Sequence, residues 1–454
     1  MNAVSSDARL APLIRTINLC YSSHLYKHSE DEVVKAANDS YKPFVQTFIQ
    51  VCSKFVNLRQ VNIDFDKNMD KTILISLASL PHLDVIVFTS ARFGAHLLKP
   101  RLNLKTLVID NTRLKSMRLD PNPNSSAKLL DIVSVARLEC IQSYSWTYTP
   151  KLFRALTKQG ISDHLVHLTF QLRAENVDVL YPFLATCPNL LHLSIASESY
   201  PSSNLPPLPP LPHSTISRLT YLRCPCTVAK AFVPRRPIVK LCLTHPSYCS
   251  DHYTLDKIEE IIPKVSQIKG YLTTLDIQNI MPFPQALCLI ATHLPRLQIL
   301  RLGLGHRMVI INGDPNTIDL ETVTPRDQLL SGMRQADTLG FKADVFLLPI
   351  DLHVIYMDFI HWVALKKIDL PPALKVLELR TSWHRPSSRK PYTIRNALSI
   401  FHAMSIRFPE VEHLEVHAGV QRLEWRKDKC GAWITERLAD AARDQGDPWA
   451  PHTK

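Results

Sequence analysis

The stretch Cys187-Pro188-Asn189-Leu190-Leu191-His192-Leu193-Ser194-Ile195 stands at the junction of two periodicities. Upstream of it, Val177, Leu180, Phe183 and Leu184 recur three and four residues apart, the spacing of one apolar helix face. The proline disfavours helix at the residue before it and cannot donate the next helical hydrogen bond, so the helix stops and an extended segment begins. Alternation in that segment turns Leu193 and Ile195 to one face and His192 and Ser194 to the other. The stretch therefore predicts one helix followed by one short strand.

The same phrase recurs in Leu80-Pro81-His82-Leu83 with Ile86 and Phe88, and in Leu294-Pro295-Arg296-Leu297 with Leu300 and Leu302. It returns in Pro371-Pro372-Ala373-Leu374 with Leu377 and Leu379, and in Phe408-Pro409-Glu410-Val411 with Leu414 and Val416. Looser copies begin at Ile14, Leu58, Leu104, Leu165, Leu219, Ile238, Leu272 and Leu365. Neighbouring copies stand about 21 to 29 residues apart, the period of leucine-rich repeats. A single helix-plus-strand unit cannot bury its own apolar side, whereas stacked units share one core. The expected fold class is thus α/β: a leucine-rich-repeat-like solenoid (horseshoe) with a parallel β-sheet on the concave face and helices on the convex face. A doubly wound α/β domain also alternates strands and helices, but its strands need share no phrase, and no glycine-rich turn follows the early strands here.

Residues 1–424 read as this irregular array, interrupted by a proline-rich loop at 199–212 and a long insertion at 303–348; residues 425–454 read as a C-terminal cap helix and tail, the helix running from Ala432 to Arg443. The loop ends in Leu-Pro-Pro-Leu-Pro-Pro-Leu-Pro, a polyproline segment with no basic residue close by in sequence.

Glycine is scarce, at 11 residues in 454, and proline abundant, at 33. Scarce glycine argues against phosphate-cradling loops and tight hairpins. The net charge of +12 is spread along the chain without an RNA-binding signature. No apolar run is long enough for a membrane span and the first residues form no signal peptide, which predicts a cytoplasmic or nuclear protein with reduced cysteines and no membrane partner.

Chemistry is hard to find. Cys224, Cys226, Cys242, His245, Cys249 and His252 resemble a zinc set only loosely, because the first pair is one residue apart and Cys242 falls inside a strand phrase. Gly303-Leu304-Gly305 lacks the third glycine of a dinucleotide turn. With no nucleophile elbow, phosphate loop or paired acid and base, the expectation is no enzyme, no catalytic residue, no metal and no cofactor.

The many Leu-x-x-Leu-x-Leu copies, the Cys187 to Leu190 phrase and the opening Leu10-Ala11-Pro12-Leu13-Ile14-Arg15-Thr16-Ile17-Asn18-Leu19 resemble fungal F-box proteins with divergent leucine-rich repeats. That resemblance implies a substrate receptor of a cullin-RING ubiquitin ligase, with an F-box holding a Skp-type adaptor and the repeats holding the target. Only about a dozen residues precede the first strand, too few for a three-helix F-box of roughly 40 to 50 residues. Adaptor and cullin binding are accordingly expected only if an F-box is supplied.

The expected function is a protein-protein interaction module of this receptor type, binding an unknown target protein on the concave sheet face, to which the outward strand residues point. The alternative is a non-catalytic basic scaffold for nucleic acid or another acidic partner. Candidate protein-binding residues are the outward-facing His167, His192, Tyr221, Arg223, Lys240, Thr274, Arg301 and His413, with aromatic and arginine side chains preferred as anchors.

Overall fold

The computed structural model describes residues 7, 9–21, 31–65, 69–93, 97–110, 129–172, 176–197, 208–244, 255–268, 270, 272–280, 284–304, 308–312, 345–349, 368–381, 406–418 and 421–438. The chain forms two compact units, Met1–Ile238 and Val239–Lys454.

In the first unit the strands are β1 (Thr16–Tyr21), β2 (Gln60–Phe65), β3 (Val85–Thr89), β4 (Leu97–Leu102), β5 (Thr106–Asp110), β6 (Asp131–Val133), β7 (Cys140–Ser143), β8 (His167–Leu172), β9 (His192–Ser197) and β10 (Tyr221–Pro225). Its helices are α1 (Asp31–Cys52), α2 (Lys71–Ala78), α3 (Tyr148–Gln159), α4 (Val177–Ala185) and α5 (Cys226–Phe232). The main sheet runs β1-β2-β3-β5-β7-β8-β9-β10 with every pair parallel. In the second unit the strands are β11 (Lys240–Thr244), β12 (Thr274–Ile280), β13 (Ile299–Leu304), β14 (Met308–Asn312), β15 (Val345–Pro349), β16 (Val376–Thr381), β17 (His413–Ala418), β18 (Gln421–Lys427) and β19 (Trp433–Leu438), with helices α6 (Leu255–Val265) and α7 (Pro284–His293). Here β11-β12-β13-β16-β17 are parallel, and β18 and β19 add on antiparallel. The fold class is therefore α/β with a mostly parallel sheet.

The recurring phrase accounts for this order. Its first, fourth and sixth residues are buried in Leu83, Ile86 and Phe88, in Leu190, Leu193 and Ile195, and in Leu297, Leu300 and Leu302. α4 ends where the proline argument places the stop, the Cys187 N–H reaching back to the Leu184 carbonyl at 3.1 Å. Within each unit, at each step one carbonyl of the preceding phrase accepts two successive N–H groups of the next. Val166 O receives Leu191 N and His192 N at 3.1 and 3.0 Å, and Thr273 O receives Gln298 N and Ile299 N at 3.0 and 2.9 Å. Behind the sheet, α3 and α4 meet through the stacked rings of Phe153 and Phe183, 4.2 Å apart, with Phe170 of β8 edge-on to Phe153 at 5.2 Å. Each such aromatic side chain buries a large apolar area in the shared core.

Three features depart from the expectation, and the structure adds a strand pair to the long insertion. Strand β7 follows a phrase, Leu138-Glu139-Cys140-Ile141-Gln142-Ser143, whose sixth residue is polar. The Ser143 hydroxyl is buried because it pairs with the Thr149 hydroxyl of α3 at 2.8 Å, so the inward position is filled by a satisfied hydrogen bond instead of a hydrocarbon. Between β3 and β5 the chain crosses as β4, paired in parallel with β6, because the 21-residue interval leaves little room for a helix. Within the long insertion, β14 and β15 pair antiparallel. The C-terminal cap helix is corrected by β19, which lies antiparallel to β18. The edge of β18 offers unpaired backbone groups, and completing that ladder outweighs a weak helical pattern. The looser copy at Leu365, the helical pattern before Pro409 and residues 199–207 of the proline-rich loop lie outside the described residues.

Candidate functional site

The outward residues of the first unit form rows across the strands. One row runs Thr16, Gln60, Val85, Thr106, Cys140, His167, His192 and Tyr221, and a second includes Gln142, Thr169, Ser194 and Arg223. The row geometry brings three predicted residues together as an aromatic ladder. The His167 and His192 rings stack with centroids 4.4 Å apart and 25° between planes, and His192 meets Tyr221 at 5.7 Å and 38°. Adjacent strands lie about 4.8 Å apart, so rings at one register position are brought to stacking distance. His167 is exposed, and His192, Tyr221 and Arg223 are half-buried, leaving the ladder accessible from one side. Partial burial lowers the His167 pKa, against the opposing pull of the Glu139 carboxylate.

The second unit's outward face is built from charge. Its rows place Lys240 beside Thr274 and Ile299, and Cys242 beside Asp276, Arg301, Glu378, Glu415 and Glu424. The Arg301 Nε donates to Glu378 Oε1 at 2.8 Å, and Arg380 adds a second guanidinium to the other Glu378 oxygen. At the far end His413 Nε2 stands 3.2 Å from Glu424 Oε1, which also accepts from Arg426 Nε. Lys240 is held down to about 8, first by burial and then by the positive charge of Arg301, with Cys242, Asp276 and Glu378 pulling the other way.

The structure sorts the candidates accordingly. His167, His192, Tyr221 and Arg223 form one group in the first unit, and Lys240, Arg301 and His413 belong to the charged rows of the second. Thr274 is not in an open ladder, being only 6% exposed between Lys240 and Ile299. Sequence reading passed over Arg380, Glu415, Glu424 and Arg426. The first two share the outward register of a phrase strand, which was the available signal; Glu424 and Arg426 come from the antiparallel β18, which carries no phrase.

Among the described residues no three His, Cys, Asp or Glu side chains group as metal ligands. Cys224, Cys226 and Cys242 are buried thiols, while His245, Cys249 and His252 lie outside the described residues, as does Gly305. A cavity of about 150 Å³ lined by Leu77, Leu80, Leu83, Leu102 and Leu104 is smaller than the ~300 to 1,000 Å³ typical of ligand pockets. Among the described residues no helix is long and apolar enough to cross a membrane.

What fold and surface define is an α/β protein with mostly parallel strands in each unit, the first carrying an aromatic ladder on its strands and the second rows of paired, largely buried charge. No protein-family model and no curated protein matches this chain.

Proposed function

We propose that the chain is a leucine-rich-repeat-like, horseshoe-type array that binds a target protein on its outward sheet face, as the recognition part of an F-box-type ubiquitin-ligase receptor. The observation that carries the reading is the His167–His192–Tyr221 ladder beside Arg223. Aromatic rings supply large contact area at small entropic cost, and tyrosine and arginine are the side chains most often dominant at protein interfaces. The charged rows of the second unit suit specificity more than affinity, since paired charges penalise a mismatched partner. Asp276, Glu378, Glu415 and Glu424 are buried on those rows, where Glu378 and Glu424 hold the guanidinium groups of Arg301, Arg380 and Arg426 in place.

Affinity capture with the full chain, compared with Tyr221→Ala and Arg223→Ala variants of unchanged melting temperature, tests the reading. The expected result is a partner retained by the parent and lost from Tyr221→Ala, with a Skp-type adaptor and a cullin in the same eluate when an F-box is supplied. An identical partner set for parent and variants would remove this face from consideration. A lost partner without adaptor or cullin would leave the binding array and remove the ligase role.

A further inference from the structure

We propose that Pro209, Pro210 and Pro212 form a preformed polyproline II ridge that docks into an aromatic-lined polyproline groove with an acidic rim on another protein. This rests on the first unit alone and is independent of the sheet-face reading. Leu208, Pro209 and Leu211 each precede a proline, which disfavours the helical region, and the rings of Pro209, Pro210 and Pro212 fix φ at the polyproline value, so the segment favours the polyproline II conformation. That helix has three residues per turn, so Leu208 and Leu211 share one edge while the prolines occupy the other two. The burial follows this division: Leu208 and Leu211 are buried, whereas Pro209, Pro210 and Pro212 are exposed.

The ridge is fastened from beneath. The Tyr181 hydroxyl donates to the Pro209 carbonyl, and the Leu211 N–H donates to the Ala231 carbonyl at 3.2 Å. The buried Arg236 guanidinium donates through Nη2 to the carbonyls of Leu211, Pro212 and Thr215 at 3.1, 2.9 and 3.4 Å, and through Nη1 to those of Phe232 and Pro234 at 2.8 and 3.3 Å. A loop serving only to join β9 to β10 would need no such anchorage with its proline edges left outside. The fold also supplies what the local sequence lacks. Exposed Arg235, more than twenty residues downstream, places its guanidinium 3.4 Å from His213 Nε2, beside the end of the ridge. Its positive charge there selects a groove with carboxylates on its rim. An ordered ridge also avoids the entropy that a free proline-rich peptide loses on docking.

Titration of the full chain against a panel of purified SH3, WW and EVH1 domains tests the proposal. At least one domain with an acidic rim is expected to bind. Binding should fall ten-fold or more in a Pro209→Ala/Pro210→Ala variant whose melting temperature matches the parent, and five-fold or more in Arg235→Glu. A free peptide of residues 205–214, which lacks Arg235 and the anchorage, should bind the same domain at least ten-fold more weakly. The proposal is overturned if no panel domain binds the full chain, if the proline variant binds as the parent does, or if the free peptide equals the folded protein.

Discussion

Arg301 on β13 and Glu378 on β16 occupy the same register position of neighbouring parallel strands, although 77 residues separate them, and their side chains meet at 2.8 Å. Glu378 is 5% exposed and holds Arg380 as well, so one buried carboxylate organises two guanidinium groups. Removing it strands two cations in a partly dry site. Glu378→Ala is expected to cost about 2 kcal/mol in urea unfolding, less than the ~3 to 5 of a fully buried pair because both arginines keep some hydration. A change within ~0.5 kcal/mol, the range of ordinary surface substitutions, would show that the pair is solvated in the protein.

Lys240 should titrate well below an ordinary lysine, with a midpoint of about 8. Its folded value lies under its unfolded one, so between about pH 8 and 10.5 the unfolded chain holds more protons and this group's contribution to stability rises with pH. NMR of lysine side chains in the parent and in Arg301→Gln checks this. Losing the neighbouring cation should move the Lys240 midpoint upward, and an unchanged midpoint would contradict the assigned coupling.

His167, although open to solvent on one side, is shifted in the same direction by partial desolvation, with the Glu139 carboxylate opposing it. A histidine with a lowered folded pKa favours folding at high pH, and that contribution is lost as pH falls from 6.5 through the folded value. Thermal unfolding between pH 8 and 5 should show a decline in stability that is shallower in His167→Gln. Parallel pH profiles for the two proteins would remove His167 as the source.

Arg236 is only 1% exposed, yet burial leaves its pKa at about 10, so it remains a cation at neutral pH. Arg236→Met keeps most of the volume and removes all five donor contacts to carbonyls. The expected loss is about 3 kcal/mol, since bonds from a charged donor are individually worth ~1.5 to 3 and their carbonyl partners would be left dry. Arg236→Lys should rescue little, because an ammonium lacks the planar fork that spans Leu211, Pro212 and Thr215 on one side and Phe232 and Pro234 on the other. Equal stability of the lysine variant and the parent, measured by urea unfolding, would refute the cage.

The strands were legible wherever hydrocarbon marked their inward positions. Leu83, Ile86 and Phe88, or Leu297, Leu300 and Leu302, announce both the strand and the face it buries. Legibility failed at Ser143, where a hydroxyl satisfied by Thr149 stands in for an aliphatic group, and at Trp433–Leu438, where a neighbouring strand edge decided between two periods that the local residues left close. The candidate site was legible as a register, since His167, His192 and Tyr221 could be counted to one row. That two of those rings stack while Thr274 is closed over could not be counted.

Residue order alone settled the repeating unit, because the turn from helix to strand at a proline and the in-and-out alternation that follows are governed by bonds only a few residues long. Only the tertiary structure decided which outward side chains stay open, that Arg301 finds Glu378, and that Arg235 stands beside His213 at the end of the proline ridge. Those outcomes depend on groups brought near by packing from distant parts of the chain, where burial and charge act through space and leave no local pattern to read.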